Sequence, residues 1–248
     1  MRTATCVAGL ALAFGLVCVA GGGESSPKLP EGYKPLYVQD FKDASAIKDF
    51  VFADPAQWQL SQVDDHQVLD FAGVTPQSKR LLKGSYEPKV RSPLLIALVA
   101  DRQFGDFVME AEVKSNAKSY GHQDLCFFFG VTGPTKFYYA HVALKADPVA
   151  NKIHIVNDQP RAVISKTAND GVPWGEGWHK VRVERRLADG SIKVFFDDGP
   201  EPVMTAEDKT FGWGNVGVGS FDDSGFVRAL RVWGPEMKEA KTDFFKRK

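Results

Sequence analysis

The sequence predicts an all-β protein built as an antiparallel two-sheet β-sandwich, and three observations lead to this fold class. First, about a dozen short apolar or alternating runs follow one another at spacings of roughly 8 to 15 residues, with turn-forming residues between them. Second, no run has the length and periodicity of a convincing long helix, which excludes a fold of alternating strands and helices. Third, no internal repeat at a fixed period is visible, which argues against a propeller.

Composition places the chain among folded globular proteins and argues against one class of partner. The 248 residues are 44% hydrophobic and 25% charged, and 31 Lys and Arg balance 31 Asp and Glu. This balance leaves no basic stripe with interleaved aromatic residues, so we expect no nucleic-acid partner. Composition does not indicate an oligomeric state.

The first 20 residues predict a secretory signal peptide. Arg2 precedes an apolar run from Cys6 to Ala20 that is too short for a membrane span and is followed at once by Gly, Ser and Pro. We expect cleavage near Ala20, a secreted or periplasmic protein, and no transmembrane span. Lipidation at Cys18 ranks second, because Val17 stands where a small residue would precede a lipidated cysteine.

The rest of the chain is predicted to form a flexible leader over residues 21–35, one sandwich domain over 36–234 and a polar tail over 235–248. Cleavage removes Arg2 and no acid, so the mature chain carries 30 basic residues (31 − 1) against 31 acidic ones. It also removes two of the three cysteines and leaves Cys126. We therefore predict no intrachain disulfide, and a buried hydrophobic role for Cys126.

Individual strands and hairpins are visible along the chain. A first strand is predicted at 36–41, a hairpin turns at Asp64-Asp65, and a continuous apolar run predicts a buried strand at 92–99. The Asp-Gly pair at 189–190 is a strong turn signal and predicts a second hairpin.

The strand from Phe107 to Lys114 alternates between apolar and polar side chains. Its apolar side chains are predicted to face the core, and its acids Glu110 and Glu112 to face solvent. A glycosidase of the usual kind needs two carboxylates flanking the bond. Acids occur on many solvated strands, so we predict surface residues here and assign no two-carboxylate mechanism.

The stretch from Gly121 to Lys166 carries the strongest indication of a functional surface. Successive side chains of a strand point to opposite faces, so its runs can be sorted by parity. One face is apolar and is predicted to be core, with Leu125, Phe127, Phe129, Tyr138, Ala140, Val142, Leu144, Ile153, Ile155, Ala162 and Ile164. The other face collects His122, Asp124, Cys126, Tyr139, His141, Lys152, His154, Arg161 and Ser165. Three histidines with a tyrosine, an aspartate and an arginine suggest a ligand surface, although an ordinary exposed sheet face stays an alternative.

The catalytic candidates come from this polar face. They are His122, Asp124, His141 and His154, because histidine exchanges a proton near neutral pH and a carboxylate can orient it. The predicted ligand-binding residues are Tyr139, Asn157, Arg161, Lys166 and Trp174, which offer planar donors or stacking surfaces. Tryptophan beside a strand start is also typical of a core. A His-bound metal is a further alternative, but no HxH or HExxH spacing is present.

Two acidic residues beside the last strand could bind calcium. Asp222 and Asp223 stand in the run GSFDDSG and offer the hard oxygen ligands that calcium prefers. Acidic turns are common without metal, so the sequence predicts no cofactor, with calcium as the alternative.

Three runs carry a resemblance to a known family: GHQDLCFFFG, then WHKVRVERR with the Asp-Gly hairpin after it, and VGVGSFDDSGFVRALRVWG. Across residues 36–234 the chain resembles the concanavalin A-like lectin and glucanase jelly rolls of secreted bacterial proteins. It looks most like the 3-keto-disaccharide hydrolase domain family. The NSG-type turn usual in that family is replaced by GHQDLCFFFG, so the resemblance concerns the fold more than the activity.

The resemblance and the polar face together imply a secreted glycan-handling protein. It would hydrolyse or otherwise process a glycoside or a 3-keto-disaccharide, and its partner would be a carbohydrate. One alternative is a non-catalytic, lectin-like carbohydrate-binding module that uses the same face. Another is a structural domain of the cell envelope, for which that face would be dispensable.

Overall fold

The computed structural model describes residues 27–72 and 86–245. The predicted signal peptide and the first part of the predicted leader lie outside these residues. Two short 3₁₀ helices, Ala44–Asp49 and Pro55–Gln57, accompany a series of strands. In chain order the strands are β1 (Lys34–Gln39), β2 (Phe50–Phe52), β3 (Trp58–Val63), β4 (His66–Phe71), β5 (Leu95–Val99), β6 (Arg102–Phe104), β7 (Phe107–Ser115), β8 (Asp124–Gly133), β9 (Lys136–Ala143), β10 (Lys152–Asn157), β11 (Ala162–Val163), β12 (Ser165–Ala168), β13 (His179–Arg186), β14 (Ser191–Phe196), β15 (Met204–Glu207), β16 (Asn215–Ser220), β17 (Gly225–Gly234) and β18 (Met237–Glu239).

The strands form two large antiparallel sheets, which confirms the predicted fold class. A nine-stranded sheet has the order β12-β15-β14-β13-β7-β17-β4-β3, with β1 also paired to β17. A seven-stranded sheet has the order β11-β10-β9-β8-β16-β5-β2, and β18 pairs with β6 in a small third sheet. In the described part of the chain, no helix has the length and apolarity needed to cross a membrane.

The main hydrophobic core lies between the two large sheets, where parity predicts it. Phe127, Phe129, Val142 and Ile153 are buried there, together with the apolar side of β7. Four predicted core residues are less enclosed. Leu144, Ile155 and Ile164 are partly buried, and Ala162 is exposed because β11 is an edge strand with a neighbour on one side.

Both predicted hairpins are present. β3 and β4 turn through Asp64 and Asp65, which have φ values of 49° and 63°. Positive φ at both central residues gives the turn the twist that the flanking strands require. β13 and β14 pair on either side of the Asp-Gly turn at 189–190, and the predicted apolar strand is β5, which is buried along its whole length.

A second hydrophobic layer covers the outer face of the seven-stranded sheet. The sheet contributes Ile96, Leu98, Cys126, Phe128, Val131, Phe137, Tyr139 and Val156, and the covering side chains include Tyr86, Val90, Phe221, Phe244 and Phe245. Backbone hydrogen bonds hold part of this cover, since the amide of Leu94 donates to the Phe221 carbonyl at 3.0 Å. The predicted polar tail therefore also contributes apolar side chains to the fold. The seven-stranded sheet is buried on both sides over this region.

Candidate functional site

Strand register brings the central residues of the predicted polar face together. Cys126 lies directly opposite His141 on the neighbouring strand, and Asp124 lies two residues before Cys126 on the same side. Asp124 is fully buried, and its Oδ1 accepts hydrogen bonds from the Ser220 hydroxyl at 2.8 Å and the Phe221 amide at 3.0 Å. The carboxylate is therefore fixed in place by donors from outside its own strand.

His141 is enclosed by this arrangement. Its Nε2 lies 3.0 Å from Asp124 Oδ2, its Nδ1 lies 3.1 Å from the Val149 carbonyl, and the residue is 4% exposed. Burial favours the neutral ring, but the nearby Asp124 carboxylate outweighs it and raises the pKa of His141. Because both ring nitrogens face buried groups, His141 presents no nitrogen to a molecule on the surface.

His154 and Tyr139 form a stacked pair beside His141. Their ring centroids are 4.8 Å apart and the rings are nearly parallel, at 8°. Burial, reinforced by the charges of His141 and Arg161, lowers the pKa of His154 to about 2. Arg161 lies over the pair's edge, where its Nη1 donates to the Tyr139 hydroxyl at 3.2 Å and its guanidinium covers the Phe221 ring at 4.1 Å. His154 is thus a neutral buried ring, whereas the sequence predicted that it lies on a ligand-binding surface.

Several other predicted site residues lie elsewhere. Trp174 is fully buried in the main core, edge-on to Phe196 at 5.2 Å, so it offers no stacking surface. Lys166 is exposed on the nine-stranded sheet, where it pairs with Glu207. Lys166 lies there because the chain changes sheet after residue 163, which parity within one run cannot reveal, and Trp174 is buried because His179 and Phe196 pack against it.

Two further candidates are exposed at the margins of the seven-stranded sheet. Asn157 ends β10 and is exposed, at the opposite end of the strand from the Asp124 and His141 group. The His122 side chain is 62% exposed, and its Nδ1 lies 3.5 Å from Asp147. Neither residue joins the buried group.

One of the two acids considered for calcium, Asp223, has protein partners. Asp223 is fully buried, and its two oxygens accept from the Tyr120 hydroxyl and from the Asp124 amide, both at 2.9 Å. Burial and the neighbouring Asp124 raise the pKa of Asp223 to about 7. Both oxygens of Asp223 already accept hydrogen bonds from protein donors, which does not fit a calcium site built from free carboxylate oxygens.

The outer face of the nine-stranded sheet carries a different cluster. Register places Glu110 between Arg182 on β13 and Arg231 on β17, and places Glu112 between Lys180 and Ala229. The residues are 3% and 8% exposed. The prediction that these two acids are solvated surface residues is therefore wrong, because cations on both neighbouring strands enclose them.

An irregularity in β17 builds this cluster. The register of β17 against β7 shifts between Val227 and Ala229, so β17 contributes one extra residue, Arg228. Arg228 Nε donates to Glu112 Oε2 at 2.6 Å, and Arg231 Nη1 donates to Glu112 Oε1 at 3.1 Å. Two arginines three residues apart thereby reach one carboxylate.

The two glutamates lie in opposite electrostatic environments. Burial raises the pKa of Glu110, whose Oε1 is 3.8 Å from Lys180 and whose buried Oε2 has no hydrogen-bond partner within the described residues. Burial also acts on Glu112, but the hydrogen bonds from the two arginines outweigh it and lower the pKa. One carboxyl group is biased towards the protonated form and the other towards the ionised form.

A surface cleft adjoins Glu112. It is lined by Asp40, Lys42, Asp65, His66, Gln67, Glu112, Arg228, Ala229 and Arg231. Beside the lining residue Arg228 lies the partly exposed Trp178, whose Nε1 donates to Asp64 at 3.1 Å and whose ring centre is 4.7 Å from the Arg228 guanidinium. An aromatic surface beside planar donors and carboxylate acceptors is the chemistry that hydrogen-bonds and stacks polar rings.

Sequence reasoning missed this cleft, although one signal for it is present in the chain. The run KVRVER places Lys180 and Arg182 at the two-residue spacing of Glu110 and Glu112 in MEAEV, and the run VRALR carries Arg228 and Arg231 three residues apart. Pairing these runs across one sheet requires knowing that β13 and β17 flank β7.

The two antiparallel sheets and their strand order define the class: this is a jelly-roll β-sandwich of the concanavalin A-like kind. Among solved structures, the winged bean acidic lectin in complex with methyl-α-D-galactose is similar, with a TM-score of 0.53, 13% identity, and coverage of 84% of this chain and 100% of the lectin. The carbohydrate-binding module CBM66 from Bacillus subtilis is similar with a TM-score of 0.50, 15% identity, and coverage of 73% of this chain and 93% of the module. No protein-family model matches the chain, and no curated protein matches it.

Proposed function

We propose that this protein binds carbohydrate in the cleft on the outer face of the nine-stranded sheet. The observation that carries the proposal is the partly exposed Trp178 packed beside Arg228, which lines the cleft together with Glu112 and Gln67. A sugar ring offers an apolar face for stacking and a rim of hydroxyl groups, which guanidinium and carboxylate groups bind. The buried histidines of the opposite sheet do not offer such a surface.

The similar structures support the same class of ligand. One is a lectin in complex with a methyl galactoside and the other is a carbohydrate-binding module. The resemblance to the 3-keto-disaccharide hydrolase family, stated from the sequence, points to glycosides as well.

Hydrolysis of a glycoside is a second candidate function, and one observation favours it. Glu110 and Glu112 lie on one strand face with their pKa values shifted in opposite directions. Glycosidases use such a pair, in which the protonated carboxyl group donates a proton to the leaving oxygen and the ionised one acts as nucleophile or base. Glu110 would be the acid, and Glu112 the nucleophile or base.

Export is part of the proposal, because a secreted or periplasmic protein meets glycans outside the cell. The apolar run that ends at Ala20 supports it. Mass spectrometry of the protein recovered from a secreting host should give a chain that begins near Gly21. A soluble product that retains residues 1–20 would contradict export.

A glycan array followed by titration calorimetry tests binding. We expect Trp178→Ala to weaken binding of the best array ligand by about tenfold or more, since stacking and the ordered cleft edge are both lost, with the melting temperature nearly unchanged. The matched control is Arg161→Ala on the opposite sheet. Retained affinity in Trp178→Ala together with lost affinity in Arg161→Ala would move the site to the face predicted from the sequence.

Product analysis on the array ligand tests hydrolysis. Glu110→Gln should abolish product formation and leave the affinity of the ligand intact, because the amide keeps the shape and cannot donate the required proton. Glu184→Gln, on the neighbouring strand of the same sheet, is the control and should retain activity. Binding without turnover in the wild-type protein would reduce the proposal to a lectin-like module.

A further inference from the structure

We propose that Asp124, Cys126 and His141 form a buried binding site for one divalent transition-metal ion of the zinc class. One carboxylate oxygen, the thiol sulfur and one imidazole nitrogen all lie within 4.8 Å of one another. The three residues are 0%, 0% and 4% exposed. Cys126 pairs directly with His141 on the neighbouring strand, and Asp124 lies two residues before Cys126. Strand pairing therefore places the three side chains on the same side of the sheet.

The hydrogen bonding of His141 points its free nitrogen at the site. Nδ1 lies 3.1 Å from the Val149 carbonyl, and a carbonyl can only accept, so Nδ1 carries the proton. In the neutral ring Nε2 then presents a lone pair, and this nitrogen is buried without a hydrogen-bond partner among the described residues. It faces Asp124 Oδ2, another acceptor, at 3.0 Å. Two acceptors at this distance need a positive charge between them, which either a proton on Nε2 or a metal ion supplies, and the nearby thiol of Cys126 gives a metal ion a third ligand.

Asp124 is oriented as a ligand by donors that leave one oxygen available. Oδ1 takes the shorter contacts, from the Ser220 hydroxyl at 2.8 Å and the Phe221 amide at 3.0 Å, and the same donors are 3.4 and 3.3 Å from Oδ2. Oδ2 is the oxygen that faces His141. Metal ligands are usually held in place by hydrogen bonds to a second layer of groups. Here the Val149 carbonyl has this role for His141, and Ser220 and Phe221 have it for Asp124.

The donor set selects the kind of metal. A thiolate and an imidazole favour zinc and related transition metals, whereas calcium and magnesium prefer oxygen ligands. A carboxylate and a thiolate together carry two negative charges, which a divalent ion neutralises inside a low-dielectric region. The site is thereby distinct from the oxygen-only calcium site considered for Asp222 and Asp223.

The experiment uses the full-length protein in metal-free form, prepared with a chelator and titrated with Co²⁺ and then with Zn²⁺. We expect uptake of one equivalent of cobalt with sulfur-to-cobalt charge-transfer absorption, which zinc then abolishes. Cys126→Ser should remove that absorption, and His141→Gln should weaken cobalt binding by more than about tenfold. The control His122→Gln, an exposed histidine near the same sheet, should behave as wild type.

Two outcomes overturn the proposal. One is the absence of charge-transfer absorption in the wild-type protein, which would leave a proton shared by His141 and Asp124 as the source of positive charge. The other is unchanged absorption in Cys126→Ser. The wild-type titration needs no variant to fold, and circular dichroism of each variant establishes that a lost signal does not come from an unfolded chain.

Discussion

The two outer faces of the sandwich differ in what lies over them. On the seven-stranded sheet, Phe221 lies against His141 and Arg161, and Phe244 and Phe245 pack on the apolar side chains of the same face. On the nine-stranded sheet, buried Glu112 is paired with arginines, and it lines a cleft beside Trp178. The difference teaches that alternation along a strand tells which side chains share a face, whereas exposure of that face depends on segments far away in the sequence.

The largest expected effect concerns the covered face. Phe128→Ala should lower the free energy of unfolding by about 3 to 5 kcal/mol, as much as Phe127→Ala in the main core, because both rings are buried and both truncations leave a cavity. Urea denaturation measures both, with the exposed Lys193→Ala as the control. A loss for Phe128→Ala no larger than that of the control would mean that the cover is not in place in solution.

A smaller effect is expected on the face with the cleft. Glu112→Gln should lower the free energy of unfolding by about 1.5 to 3 kcal/mol, because Arg228 and Arg231 lose their charged hydrogen-bond acceptor. Denaturation midpoints give the number, and Glu184→Gln, whose carboxylate is about one third exposed, should cost under about 1 kcal/mol. Equal losses in the two variants would show that the Glu112 cluster is no stronger than an ordinary surface pair.

The two glutamates should also give stability opposite dependences on pH. The pKa of Glu110 is raised above its ordinary 4.5, so its contribution to stability is full below that value and is lost as the pH rises through the folded-state pKa. The pKa of Glu112 is lowered, so its contribution is present above 4.5 and is lost as the pH falls through its folded-state pKa.

Unfolding curves at several pH values measure this effect. Relative to wild type, Glu110→Gln should gain stability as the pH rises above 4.5, with a slope of at most about 1.4 kcal/mol per pH unit. Glu112→Gln should instead approach the stability of wild type as the pH falls below 4.5, because the wild-type protein then loses the contribution of Glu112. Parallel curves for wild type and Glu110→Gln would contradict a raised pKa of Glu110 in the folded protein.

The smallest effect is expected at His122. His122→Ala should change the free energy of unfolding by less than about 0.5 kcal/mol, because the side chain is 62% exposed and reaches only Asp147 at 3.5 Å. Thermal denaturation and ligand titration should both match wild type. A clear loss of ligand affinity in this variant would restore His122 to the site predicted from the sequence.

Local patterns predicted the sandwich and its core well. Period-two alternation identified β7 and the apolar side of β8, and turn chemistry at Asp64-Asp65 identified a hairpin. These features depend on residues that are neighbours in the chain. The sequence therefore predicts them with no knowledge of which strands pair at long range.

The environment of the candidate site could not be predicted in the same way. The Asp124 and His141 group is enclosed by Phe221, whose ring lies against His141 and whose amide donates to Asp124, and the pairing of Glu112 depends on β17 lying beside β7. Trp174 illustrates the same point, since its neighbour Phe196 comes from another hairpin. Contacts between distant segments set solvation and charge pairing, and both properties decide the chemistry of a polar side chain.

The extra residue of β17 also affects how this sheet can tolerate a change in chain length. Val227 and Leu230 both face the core, three positions apart, where a regular strand would have them two apart. Removing Ala229 would therefore restore regular alternation with Leu230 and Val232 still facing inwards. A single deletion within β7, at Ala111 for example, would turn every later side chain of that strand to the opposite face. Natural variation by one residue should thus be tolerated at the bulge and excluded from the strand that carries the glutamates.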